Sequence, residues 1–258
     1  MIPCRIGWTF LVLFLLILGC GKENKKLVFA TDTTLIPMSF VGDDGKISGF
    51  EPDLINEISK TAGFDYELVN VEWAGLFGGL ITQKYDAVVA SVTILDERKK
   101  RMAFSIPYLR SGLALVVRRD SEKINSVEDL KREQLLIGAQ LGTTSYFYLE
   151  KDPAIRKKGY QAYGHAVADL IKGEIDAVLG ESTGTLYYKN QRKDYFQKIK
   201  MVGEILTEEY YGIVLRKTDP DLLNKIDTAL KQLLEDGTVS RLHAKWELGK
   251  AAQVPAPD

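Results

Sequence analysis

Short apolar runs alternate along this chain with longer stretches whose apolar residues recur at helical spacing. The run at 27–32, LVFATD, is bounded by polar residues and reads as a buried strand that ends in an acid, Asp32. A turn-rich cluster, GDDGKISG at 42–49, predicts a hairpin or loop. In the segment 51–64, Leu54, Ile55, Ile58 and Ala62 fall on one face of a helix, with Pro52 suited to its first turn and Gly63 to its end. DYELVNV then returns as a strand, WAGLFGGLITQK supplies a short helix, and Ala87 to Ala90 form a buried strand that breaks into the hydroxyls of Ser91 and Thr93.

The second half repeats this plan. LITQKYDAVVAS (80–91) aligns without a gap on LIKGEIDAVLGE (170–181), with Leu80/Leu170, Ile81/Ile171, Asp86/Asp176, Ala87/Ala177 and Val88/Val178 identical. QLLIGAQLGTTS echoes the first strand, and before it SVEDL predicts a helix capped by Ser126 with Asp129 three residues on. Near the end, Leu222, Leu223, Ile226, Leu230, Leu233 and Leu234 make an amphipathic helix with Asp219 as cap, Pro220 in the first turn and Gly237 as stop. Strands alternating with helices of this length predict an α/β fold of parallel βαβ units, whose ligands lie beyond the carboxyl ends of the strands. Two similar halves then face each other across a cleft. The expected boundaries are a signal at 1–19, a tether at 20–26, a first lobe at 27–112 plus 207–250, a second at 113–206 and a tail at 251–258. Two extended crossings, near 111–113 and 207–212, join the lobes.

The N-terminal residues have a different character. Arg5 precedes an apolar run from Trp8 to Leu18 that closes in LILGC at Cys20, the layout of a secretory signal. A run of about eleven apolar residues is short against the roughly twenty that span a bilayer. Cys20 ends a lipobox-like sequence and is expected to be the lipidated first residue of the exported chain, anchoring it to a membrane. Cys4 leaves with the signal, so a disulfide framework and a cysteine metal site are both excluded. With 34 basic and 35 acidic residues the chain has no overall field for nucleic acid, and any specificity resides in a local site.

Four clusters carry candidate chemistry. QLGTTS places Thr143, Thr144 and Ser145 where a strand meets a helix, a ready place for an anion such as a carboxylate; without a Gly-Lys-Ser/Thr ending it is no phosphate loop. Arg98 stands seven residues after Ser91 in DERKKR, a bidentate partner for a carboxylate, although Lys99, Lys100 and Arg101 compete for the role. Glu181 closes an apolar strand at the position matching Ser91 and calls for a nearby cation, of which Lys189 or Lys193 is the ordinary choice. Trp73 is either core or pocket wall, and Asp86 and Asp176 are expected to cap turns. His165 and His243 have no nucleophile or carboxylate pair beside them, so neither a catalytic group nor a metal or other cofactor is expected. Donors for a carboxylate and an acid for an ammonium together describe an amino-acid zwitterion.

The motifs DGKISGFEPDL, WAGLFGGLITQKYDAVVASVTILDERKKRMAFSIPYL, SVEDL, IGAQLGTT, LIKGEIDAVLGE and LLEDGTVSRLHAKW, in this order, resemble the amino-acid ABC transporter solute-binding proteins of the bacterial extracellular family 3 type. The resemblance implies a two-lobed periplasmic-binding-protein-like fold (type II), each lobe a mostly parallel sheet flanked by helices. It implies a monomer that closes on one amino acid and presents it to a membrane permease with its ATPase. It puts Arg98 and Thr144 on the ligand carboxylate, with backbone help from Ser91, Thr93 and Thr143. The α-ammonium falls between Ser91, Thr93 and Glu181. Trp73 walls the side-chain pocket, and Asp32 lies where relatives that bind cationic side chains keep an acid. Relatives usually have Asp where Glu181 stands, and Leu35 and Met38 occupy places commonly aromatic. The rival readings are a dehydratase-like enzyme on the same scaffold and a ligand-sensing receptor component.

Overall fold

The computed structural model describes residues 26–184, 193–250 and 252–255. The signal at 1–19, Cys20, nearly all of the tether, Lys189 and the side chain of Lys193 lie outside the described residues. Two five-stranded sheets organise the rest. In the first, Leu27–Thr31 lies between Tyr66–Asn70 and Ala87–Val88, all parallel, and Val214–Leu215 and Ala103–Phe104 complete the edge antiparallel. In the second, Leu136–Gln140 lies between Arg156–Tyr160 and Ala177–Glu181, again parallel, with Leu113–Arg118 and Ile199–Val202 added antiparallel.

Both faces of each sheet are covered, which is why the parallel strands read as unbroken apolar runs. On one face of the first sheet the helix Phe50–Ala62 buries Leu54, Ile55 and Ile58 against the helix Pro220–Glu235, whose Ile226, Leu230 and Leu233 share the same core. Gly63, at φ 69°, ends the earlier helix as expected. Leu76 and Leu80 of the helix Trp73–Ile81 pack on the opposite face. The second sheet is sandwiched likewise, by Val127–Arg132 and Thr144–Glu150 on one side and Tyr163–Lys172 on the other. The hairpin expected at 42–49 forms between Ser39–Val41 and Ile47–Ser48. Ser126 accepts from the Asp129 N–H at 3.1 Å, as the capping box requires.

The internal repeat is visible in the registers: Phe29 and Ala30 pair with Ala87 and Val88, as Ile137 and Gly138 pair with Ala177 and Val178. Asp86 and Asp176 depart from their expected turn-capping role. Each accepts a backbone N–H at the start of the neighbouring strand, from Val28 at 2.9 Å and from Leu136 at 2.8 Å, and each has an arginine beside it, Arg216 and Arg118. Asp219 likewise holds the cap position without a side-chain capping bond, because its carboxylate pairs with Arg216 at 2.6 Å.

The chain passes between the sheets along two strands, Leu109–Ser111 and Glu209–Tyr211, which pair antiparallel with Glu209 opposite Ser111. Part of the expected tail is attached to them: Gln253 and Arg110 exchange two backbone hydrogen bonds at 2.7 Å, and Ala252 is buried.

Gly49 begins the helix Phe50–Ala62 at φ 139°, and a Cβ there collides with the Met38 carbonyl. Gly49→Ala is therefore expected to cost about 2–4 kcal/mol of unfolding free energy in urea. A change below about 0.5 kcal/mol would contradict this packing.

Candidate binding cleft

A cavity opens where the carboxyl ends of the two sheets face each other. Asp32, Leu35, Trp73, Ser91, Thr93 and Arg98 line it from one side, and Thr143, Thr144 and Glu181 from the other. Nine of the residues singled out in the sequence thus meet in one place.

The first wall depends on how the chain leaves its strands. Ser91 follows the strand region 87–90 with φ 48°, a left-handed conformation unusual for a residue with a Cβ. Glu51, from the second position of the helix Phe50–Ala62, holds it there: one carboxylate oxygen accepts the Ser91 N–H at 2.5 Å, the Ser91 hydroxyl at 2.9 Å and the Tyr108 hydroxyl at 2.6 Å. Burial raises the pKa of Glu51, more than these hydrogen bonds lower it. Asp32 accepts the backbone N–H of Thr34 and of Trp73, each at 3.0 Å, so it ties the first strand to the start of the Trp73 helix. Each of its oxygens accepts one backbone amide, and the residue lines the cavity as an acid.

Arg98 separates clearly from its basic neighbours. The four-residue helix Asp96–Lys99 turns it inward, leaving it 9% exposed, while Lys99, Lys100 and Arg101 face solvent. Its guanidinium donates to the Thr93 carbonyl at 2.9 Å and reaches the Gly142 carbonyl of the opposite wall at 3.4 Å. It lies 5.6 Å from the Trp73 ring centroid and 5.4 Å from that of Phe77. Burial draws its pKa down to about 10, opposed by the charges of Glu181 and Glu209, and it remains a cation at neutral pH. Trp73 is therefore both wall and support, whereas Met38 is fully buried in the core and takes no part in the cleft.

On the second wall, Gly142 turns the chain at φ 74° and Thr143 caps the helix Thr144–Glu150. The Thr144 hydroxyl points to two carboxylates, Glu181 at 3.1 Å and Glu209 at 2.9 Å. Glu181 ends its strand as expected. Its described hydrogen-bond partners are hydroxyls rather than a lysine, with Tyr211 donating at 2.6 Å besides Thr144. Burial first, and then the charge of Glu209, push its pKa up to about 8, against the lowering effects of Tyr211, Thr144 and Arg98. Tyr163 completes the wall, lying against Gly180, where any side chain would strike its ring.

Glu51, Tyr163, Glu209 and Tyr211 were not anticipated. Glu51 resembles an ordinary acid in a helical first turn, and Glu209 sits in a crossing segment with no periodicity to interpret. For Tyr163, the small Gly180 preceding an acid is a signal in hindsight. Among the described residues, no group of three or more His, Cys, Asp or Glu side chains is arranged to hold a metal.

Two matched α/β lobes with a polar cleft between them, carrying a guanidinium and a carboxylate, define a protein built to enclose a small solute. The chain belongs to the bacterial extracellular solute-binding proteins, family 3, whose family model matches residues 27–250. It is 33% identical over 227 residues to the L-cystine-binding protein TcyJ of Escherichia coli (strain K12), covering 87% of this chain and 84% of that one. An ancestral arginine-binding protein bound to arginine superposes with a TM-score of 0.79 at 36% identity, covering 86% of this chain and 97% of that one. The arginine-, lysine-, histidine-binding protein ArtJ from Geobacillus stearothermophilus gives 0.77 at 33% identity, covering 86% and 95%.

The raised pKa of Glu181 has a consequence for stability. Its folded-state value of about 8 exceeds the ordinary 4.5, so the fold favours the protonated form and the ionised form destabilises the empty protein progressively as pH rises from about 4.5 to 8. Glu181→Gln is expected to be more stable than the parent at pH 8 in urea unfolding, with the difference vanishing near pH 4. A difference independent of pH would contradict the assignment.

Proposed function

We propose that the protein captures a single α-amino acid in this cleft and delivers it to an ABC importer. The observation that carries the reading is that Arg98 and Glu181 line one cavity from opposite walls, each largely withdrawn from water. A guanidinium has five N–H donors, and the two that Arg98 spends on carbonyls leave others for the ligand carboxylate. The N–H groups at the start of the Thr144 helix, with Thr143, add to them. The ligand ammonium lies between Glu181 and the polar groups of Ser91 and Thr93.

Closure follows from this division of roles. The first lobe, 27–112 plus 207–250, brings Arg98, and the second, 113–206, brings Glu181, so only a zwitterion touching both favours the shut form. The crossing strands serve as the hinge. Micromolar capture needs about −8.2 kcal/mol, within reach of several charge-assisted hydrogen bonds of about 1.5–3 kcal/mol each after association costs.

Asp32, Leu35 and Trp73 face the ligand side chain, and the acid among them favours a basic or polar one. The relatives named for cystine, for arginine and for arginine, lysine and histidine are consistent with such a range. The chain is read as exported, held to a membrane through a lipid on Cys20, acting as a monomer and releasing its ligand unchanged rather than as an enzyme.

A thermal-shift screen against the common amino acids tests the reading. A hit at a hundredfold excess over its Kd stabilises the fold by about 2.7 kcal/mol. Arg98→Ala and Glu181→Ala are each expected to weaken that binding at least about a hundredfold in calorimetric titration while the variants stay folded. Near-parental affinity in both would refute the assignment.

A further inference from the structure

Glu209 stands outside the lining of the cleft, on the crossing strand Glu209–Tyr211, and is only 7% exposed. It meets the cleft through two hydroxyls, those of Thr93 at 2.7 Å and Thr144 at 2.9 Å, both on the same carboxylate oxygen. Its other oxygen accepts from Thr207 at 3.0 Å. Glu181 in turn contacts Thr144 at 3.1 Å and Tyr211 at 2.6 Å.

Among the described residues, the hydroxyl hydrogens around these two acids do not suffice. Thr93, Thr144, Thr207 and Tyr211 bring one hydroxyl hydrogen each, four in all, to five short oxygen–oxygen contacts. The shortfall falls on Thr144, which cannot donate to Glu181 and Glu209 at once, and an ionised carboxylate has nothing to return. One additional proton on Glu181 completes the chain, with Glu181 donating to Thr144 and Thr144 donating to Glu209.

We propose that the empty cleft stores one proton on Glu181, which donates it to the Thr144 hydroxyl while that hydroxyl donates to Glu209, and that the ammonium of a captured amino acid expels it. Glu209 is on this view a positioning residue: it orients Thr93 and Thr144 and sets the charge of Glu181 without touching the ligand. The inference rests on the amino-acid reading of the cleft.

The surrounding groups agree with one stored proton. Facing Glu181 are Arg98 from the helix Asp96–Lys99, Glu209 and Tyr211 from the crossing strand, and Tyr163 from the helix Tyr163–Lys172. Arg98 brings one positive charge to two acids, and the tyrosines stay neutral because burial raises their pKa values. The rise of the Glu181 pKa to about 8 is in the direction that proton storage requires. When an ammonium arrives, Glu181 is needed as a carboxylate, so the proton leaves to bulk water and the ammonium takes over its positive charge, while the ligand carboxylate is matched by Arg98. Affinity therefore weakens about tenfold for each pH unit below 8 and levels off above it.

The test is calorimetric titration of the full chain with L-cystine and each of the twenty common L-amino acids, repeated at pH 7 in buffers of different ionisation enthalpy. The parent is expected to release close to one proton per bound amino acid. Glu209→Gln is expected to release less than about half a proton and to lose the tenfold-per-unit dependence between pH 6 and 8, while still binding at pH 8. Heats that do not depend on the buffer overturn the proposal alone. Heats absent with every amino acid overturn the capture reading itself, and the proposal with it.

Discussion

The structure depends on keeping a guanidinium and a carboxyl group apart, both short of water, on opposite walls of one gap. Among the described residues, neither Arg98 nor Glu181 has a dedicated ion-pair partner of its own. Arg98 gives hydrogen bonds to two carbonyls and rests against Trp73 and Phe77, while Glu181 receives them from hydroxyls. Carbonyls, hydroxyls and ring faces support the two groups while leaving both on the cavity wall.

Much of the fold exists to hold those two groups in place. Arg98 belongs to a helix of four residues, too short to be stable alone, and is fixed by the strand end at Thr93 and the aromatic pair beneath it. Glu51 fastens Ser91 in a left-handed turn from a distance of forty residues in sequence. Glu181 is reached through Tyr211 and Thr144 from the crossing strand and the facing helix. The crossing segment thus belongs to the electrostatic frame, where Glu209 accepts from Thr144 and Tyr211 donates to Glu181.

The α/β plan was legible because the apolar runs and helical faces repeat, down to Asp86 and Asp176 in matched places. The mouth of the cleft was legible because strands that stop in Asp32, Ser91, Thr93 and Glu181 expose polar groups where ligands gather. Arg98 could be preferred over its neighbours by spacing from Ser91, but only the packing of Trp73 and Phe77 shows why it alone turns inward. Glu51 and Glu209 were hidden for a different reason. Their partners, Ser91 and Tyr108 for one, Thr93, Thr144 and Thr207 for the other, are remote in sequence or belong to segments without periodicity, so nothing local marks them as buried. Asp32 was visible as a strand-ending acid, yet its two amide partners appear only once the Trp73 helix is folded against it.

The most direct measurement is a crystal structure of the protein with the amino acid that stabilises it most. The ligand is expected between the sheets, its carboxylate forked by Arg98 and its ammonium on Glu181. A ligand bound elsewhere, or seated in the gap with those two ends reversed, would contradict the opposed-charge cleft.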